Sequence, residues 1–161
     1  MRRLLAVLTA VIAIAACGSS KSAATRALED SAAKSAIAQI EVKWHQASST
    51  KNVALMMTLW APDATFTAAG KTYAGKAEIR NFFAHTAAPF MPDKNWVSDT
   101  PEYKERVTQS GDKGTLYFEC HYVGVTTRQV QAVVSADNDV ALLNGHWLIT
   151  KAVAATPVLA P

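Results

Sequence analysis

Few side chains in this chain stand where they could do chemistry, and Glu105 is the first to weigh. The segments around 103–109 and 115–123 flank Ser110-Gly111-Asp112-Lys113, for which a two-residue hairpin turn at Gly111-Asp112 is the favoured short solution. In that register Lys104 faces Glu119 and Arg106 faces Tyr117, an opposite-charge pair and a cation–aromatic pair suited to a solvated sheet face. Tyr103, Glu105 and Val107 then share the other face with Leu116, Phe118 and Cys120. Among such neighbours desolvation would raise the carboxyl pKa and suit Glu105 to general acid or base work. A register slip of one residue would turn it to the wet face instead.

The other candidates are scattered. His45, His85, His121 and His146 show no i, i+4 pair, and no cysteine or carboxylate cluster supports them, so no metal site is expected. Cys120 lies in an apolar strand pattern and reads as a small core residue rather than a nucleophile. No glycine-rich phosphate loop and no Gly-x-Ser-x-Gly elbow occurs, and no cofactor is expected.

The elements that must position these groups occupy one domain, expected over residues 30–155 of the 161-residue chain. Ahead of it, Arg2 and Arg3 precede a nearly uninterrupted apolar run, Leu4 to Ala16, too short to span a bilayer comfortably. Residues 1–16 therefore read as a signal peptide. The run ends Ala15-Ala16-Cys17-Gly18, which resembles the lipobox of bacterial lipoproteins and implies lipidation at Cys17. The expected address is the cell envelope, exported, with lipid as the only membrane contact. Residues 17–29, rich in Ser, Ala and Lys, read as a flexible tether. Loss of the leader takes two of the 16 basic residues and leaves 14 against 13 acidic ones, with no concentrated basic patch, so no nucleic-acid partner is expected.

Ile37, Ile40, Trp44 and Ala47 fall on one helical face, which Ser48-Ser49-Thr50 ends. Asn52 caps a second helix whose stripe is Val53, Met56, Met57 and Trp60, stopped by Pro62. Thr65-Phe66-Thr67 alternates as a strand, Gly70 and Gly75 bracket a returning segment, and a third helix follows over about 76–86 with Ile79, Phe82 and Phe83 inward. From Trp96 the period changes to two. A strand is expected near 129–135, and a second hairpin at Asn144-Gly145 sets Leu142 opposite Trp147 and Val140 opposite Ile149. Residues 156–161, with two prolines, form a tail. Helices gathered on one face of an antiparallel sheet make an α+β domain.

With those residues placed, the chain resembles the nuclear transport factor 2-like superfamily, which includes SnoaL-like and ketosteroid-isomerase-like proteins. The resemblance rests on Trp44, on the run Leu59-Trp60-Ala61-Pro62-Asp63-Ala64-Thr65-Phe66, on 75–83, and on Asn144-Gly145-His146-Trp147-Leu148-Ile149. It implies a cone, in which a strongly bent antiparallel sheet wraps the first helix, and a homodimer through the outer sheet face as in many members. Carried across, the isomerase base falls on Ala68, its tyrosine hydrogen-bond donor on Trp44, and the second acid near Asp139, or Asp137 if the alignment slips. A base needs a basic atom within hydrogen-bond reach, so Ala68 argues against isomerisation. Dehydratases of this fold imply a pocket set such as His45 or His85 with Asp137 or Asp139. The expected pocket lining is Trp44, Trp60, Phe66, Phe83, Tyr103 and Phe118, each of which could equally fill the core. The functions in view are a tethered module that binds a small apolar or amphipathic molecule, or a partner protein, without catalysis; a small-molecule lyase, hydrolase or isomerase using Glu105 or a His/Asp set; and a structural dimer with a filled cone.

Overall fold

A computed structural model of the protein describes residues 22–99 and 104–155. The leader, Cys17, Tyr103 and the tail lie outside the described residues.

Helix α1 spans Ala23–Ser49. Ser22 caps it, its Oγ accepting from the Thr25 N–H at 3.1 Å. The helix therefore begins within the stretch expected to be a flexible tether. Ala23, Ala24 and Ala27 have the strongest intrinsic helix propensity of any residue, and the cap supplies the start. Residues 22–32 are all exposed, so this first part of α1 reaches beyond the packed body. Ile37, Ile40, Trp44 and Ala47 are buried as their spacing predicts.

Helix α2, Val53–Met57, is capped by Asn52, whose Oδ1 accepts from Leu55 N–H at 2.9 Å. Trp60, expected on its stripe, instead opens strand β1, Trp60–Ala68. The cause is tertiary: the Leu59 carbonyl accepts from the Ile149 N–H at 2.8 Å, so the last strand captures the chain two residues after the helix ends. Pro62 and Asp63 are exposed where the β1 register shifts, between Trp60 and Thr65, a place that tolerates a missing donor.

Strand β2 is Lys71–Ala74, helix α3 Gly75–His85, and a short 3-10 turn covers Ala88–Phe90. Strands β3 (Trp96–Asp99), β4 (Arg106–Ser110), β5 (Lys113–Gly124), β6 (Val130–Leu143) and β7 (His146–Ala155) complete the chain. The sheet order is β2-β1-β7-β6-β5-β3, with β4 also on β5. Every described pair is antiparallel except β1 with β7, so the sheet is mixed rather than purely antiparallel. The last strand enters between β1 and β6, antiparallel to β6 and parallel to β1.

Both hairpin registers are those the turns dictate. Arg106 faces Tyr117, and Leu142 faces Trp147, with Val140 opposite Ile149 before the register shifts. The strand expected at 129–135 and the first arm of the second hairpin are one continuous strand, β6. On the outer face the Arg106 guanidinium lies 4.0 Å from the Tyr117 ring centroid, and Lys104 Nζ is 3.3 Å from Glu119 Oε1. On the inner face α1 crosses β5 at Gly114. A Cβ there would meet Thr108 O at 2.5 Å and Ile37 Cδ1 at 3.0 Å, so only glycine admits this approach.

Candidate functional site

Between α1, α3, the 3-10 turn and the inner sheet face lies a cavity of about 360 Å³. Trp44 of α1 and Phe82 and Phe83 of α3 form one side; Phe66 and Ala68 of β1, Ala132 and Val134 of β6 and Ala154 of β7 form the floor. Residues 86–90, Trp96 and Tyr122 close the remainder. Among the described lining residues there is no Asp, Glu, His, Lys or Arg. The rings support one another at the usual tilted and edge-on spacings, with Trp44 and Phe83 centroids 5.6 Å apart, and Phe66 and Phe82 5.1 Å apart. The segment that carries Phe90 is pinned from outside. Lys51, in the left-handed region at φ 55°, sends Nζ to the carbonyls of Pro89 at 3.4 Å, Met91 at 2.8 Å and Lys94.

Of the expected lining, Trp44, Phe66 and Phe83 are on the cavity wall. Trp60 and Phe118 are not: both are wholly buried in packed core, Trp60 against Trp44, Phe66 and Phe83, and Phe118 against Trp44 and His45. Phe82, Phe90, Trp96 and Tyr122 are wall residues absent from the expected lining. Tyr122 is within reach of the pattern, since the inward alternation of Phe118 and Cys120 continues to it. Ala68 lies on the wall, so the position that would hold an isomerase base presents a methyl group to the cavity.

A second buried group lies on another side of α1. His45 is held between Glu41, with Nε2 to Oε1 at 3.3 Å, and the Ser98 hydroxyl at Nδ1. A carboxylate oxygen accepts, so Nε2 donates to Glu41 and Nδ1 is left to accept from Ser98. Cys120 Sγ is 3.8 Å from the same Nε2. Because that nitrogen is committed to Glu41, His45 cannot serve as base to the thiol. Burial also pushes the Cys120 thiol well above its ordinary range, so it stays protonated. Beside this set the Tyr122 hydroxyl donates to Ser48 Oγ at 3.3 Å, and Ser48 donates to the Trp44 carbonyl at 2.9 Å. Burial raises the Tyr122 phenol in the same way. Glu41, His45 and Ser98 do not line the aromatic cavity. Glu41 is not among the expected residues; its signal is a polar residue four places after Ile37 and four before His45, inside the buried stripe.

The remaining candidates are dispersed. Glu105 stands just before β4, half-buried, with Oε1 withdrawn from solvent, and is not on the cavity wall. Asp137 and Asp139 are exposed on the outer sheet face, because inward positions of β6 in this region fall on Ala136, Asn138 and Val140. No pocket role remains for Asp139. His85 and His146 are exposed, and His121 sits on the outer face with Nε2 4.0 Å from Glu119 Oε2. The described residues contain no group of three or more potential metal ligands. A wider groove of about 540 Å³ runs between α1 and the β6–β7 turn, beside Lys43 and His146. Both of those side chains are exposed, so this groove offers little desolvation.

A sequence model of the SnoaL-like domain family matches residues 42–152. No curated protein matches the chain. Among solved structures, the chain is similar to a point variant of Rv3472, a protein of unknown function from Mycobacterium tuberculosis, at 14% identity and a TM-score of 0.70, covering 86% of this chain and 80% of that one. It is similar to an NTF2-like protein of unknown function from Pseudomonas putida KT2440 at 16% identity and a TM-score of 0.68, covering 81% and 98%. It is also similar to hexachlorocyclohexane dehydrochlorinase LinA-type3 from Novosphingobium barchaimii LL02 at 18% identity and a TM-score of 0.67, covering 84% and 93%. At these identities the likeness is one of fold, and fold does not carry activity.

Proposed function

The chain belongs to the SnoaL-like domain family, and we propose that it is an exported, lipid-tethered module that binds a small apolar molecule without transforming it. The observation that carries this reading is the cavity itself: about 360 Å³, walled by aromatic rings and alanines, with no acid, base or cation among its described lining residues. Apolar enclosure with few polar groups is what small-molecule sites offer, and general acid–base chemistry needs a titratable group within reach of the ligand. The tether rests on the charged start, the apolar run and Cys17. Fatty-acid labelling of the full chain, lost in Cys17→Ser, tests that part.

The binding reading is tested by native mass spectrometry of the purified domain and by titration with the apolar fluorophore N-phenyl-1-naphthylamine. The expected result is one bound molecule per domain. Ala68→Phe puts a ring into the open space and should weaken the probe at least tenfold, while stability stays within about 1 kcal/mol because no packed neighbour is displaced. A probe that does not bind, or that binds Ala68→Phe equally well, overturns the reading.

The enzyme reading has one specific observation in its favour, the Glu41–His45–Ser98 relay, which aligns a hydroxyl, an imidazole and a carboxylate as a hydrolase or lyase would need. It ranks second because none of the three reaches the aromatic cavity.

A further inference from the structure

The groove between α1 and the β6–β7 turn differs in kind from the aromatic cavity. At about 540 Å³ it lies within the range of small-molecule sites. Local sequence opens it. Ala36 of α1 and Gly145 of the turn put almost no side chain into the space between helix and hairpin. Asn144 and Gly145 both take left-handed backbone, at φ 51° and 81°, the geometry of a tight primed turn that fixes the start of β7. Ile40 and Leu59, each 3% exposed, supply a closed apolar base, and Trp147 and Leu148 are half-buried beside it.

The charge of this groove is one-sided. Lys43 of α1 and His146, the first residue of β7, both line it, and no Asp or Glu is among its described lining residues. Neither side chain has an ion-pair partner among the described residues. An ammonium can only donate, and an imidazole donates through at least one ring nitrogen in either protonation state. The outer sheet face gives the contrast. Its groove sets Asp137 and Asp139 on the same lining as Arg106 and Lys151, so charge is balanced within it. The aromatic cavity offers no counter-charge among its described lining residues, and an unpaired ion is costly to bury there.

We propose that the groove beside α1 binds a small amphipathic anion from solution, its sulfonate, carboxylate or phosphate group taken by Lys43 and His146 and its apolar body laid on Ile40, Leu59 and Trp147. This goes beyond the binding reading above, since a different surface carries it and a different class of ligand fills it. Both donors stand in water, so the charged contact is screened by salt and the affinity is modest.

The test uses N-phenyl-1-naphthylamine and its 8-sulfonate, which differ by one charged group, titrated by fluorescence on the purified protein. The sulfonate should weaken about threefold between about 20 and about 200 mM sodium chloride, while the neutral probe stays nearly constant. Lys43→Gln should weaken the sulfonate about fivefold, and Lys43→Gln with His146→Gln at least about tenfold. Ala36→Trp fills the groove from an exposed helix position and should remove sulfonate binding. None of these variants should change the neutral probe by more than about twofold, because the two sites share no lining residue. Ala68→Phe should do the reverse. In nitrogen-15 NMR of the wild type, amides of 36–43 and 145–148 should move with the sulfonate and those of 66–69 should not. Sulfonate binding that survives the double variant and Ala36→Trp, or that is lost in Ala68→Phe, overturns the proposal. Displacement by sodium sulfate beyond that of sodium chloride at equal ionic strength also overturns it, since an inorganic anion has no use for the apolar base. If only the neutral probe binds, the groove proposal falls and the cavity reading stands; if only the sulfonate binds, the reverse holds.

Discussion

Trp44 and His45 are consecutive on α1, both buried, and they lead into two opposite kinds of interior. Trp44 looks into a cavity of rings and methyl groups that leaves room for a guest. His45 enters a closed polar set, with Glu41 on one ring nitrogen and Ser98 on the other. The first region leaves space unfilled, and that is a source of affinity. The second pairs both imidazole nitrogens from within and lies off the cavity wall, as a structural polar network does. Among the described residues the chemistry-bearing types therefore lie off the cavity wall and the apolar ones on it, which is the arrangement the proposed binding reading requires.

The largest way to break this contrast is Glu41→Ala. Glu41 is fully buried, and deleting it strands an imidazole N–H beside Cys120. A loss of about 3 kcal/mol is expected, the scale for removing one partner of a buried polar pair. Urea unfolding measures it, and the probe affinity of the folded fraction should not move. A variant that unfolds normally but loses the probe would join the two regions into one site and sink the contrast. Cys120 reports the same closure: iodoacetamide at pH 8 should leave it unmodified until the protein unfolds, because burial holds the thiol protonated.

A smaller effect belongs to the cavity side. Lys51→Met removes the ammonium that gathers the carbonyls of Pro89, Met91 and Lys94, and should cost about 1–2 kcal/mol, since charge-assisted hydrogen bonds are the stronger kind. Amide exchange near 90–95 should quicken while α1 stays protected. Unchanged exchange there would mean that Phe90 and its neighbours hold the wall without the lysine.

How much of this is legible in the residues alone follows from what each pattern encodes. The two hairpin registers are legible because turn residues fix pairing locally; Arg106 meets Tyr117 for that reason alone. The buried face of α1 is legible from its period. The parallel β1–β7 pair is not, because it joins strands some eighty residues apart and no local signal announces it. The wall is half legible. Whether an aromatic ring fills the core, like Trp60 and Phe118, or faces open space, like Phe66 and Phe83, depends on the spacing between elements rather than on residue type. Glu41 escapes because counting apolar positions skips the polar residue set among them.

The smallest expected effect compares Glu41 with its solvated counterpart, Glu119, on the outer face. The Tyr117 hydroxyl donates to Glu119 Oε1 at 2.7 Å, and Lys104 Nζ is 3.3 Å from the same oxygen. The Tyr117 hydrogen bond is the main cause that holds the Glu119 carboxyl below the usual range, and the same bond, read from the other side, raises the Tyr117 phenol. A carboxyl lowered in the folded state contributes stability that is full above its unfolded value and is lost as pH falls through the folded one. Tyr117→Phe should move the Glu119 midpoint upward toward the ordinary range, followed by carbon-13 NMR of its carboxyl, and flatten the acid limb of the stability curve. The change at neutral pH should be slight, because Lys104 remains and water screens an exposed pair. If the midpoint stays where it was, Lys104 rather than the phenol sets it, and the outer face owes its charge state to the ion pair alone.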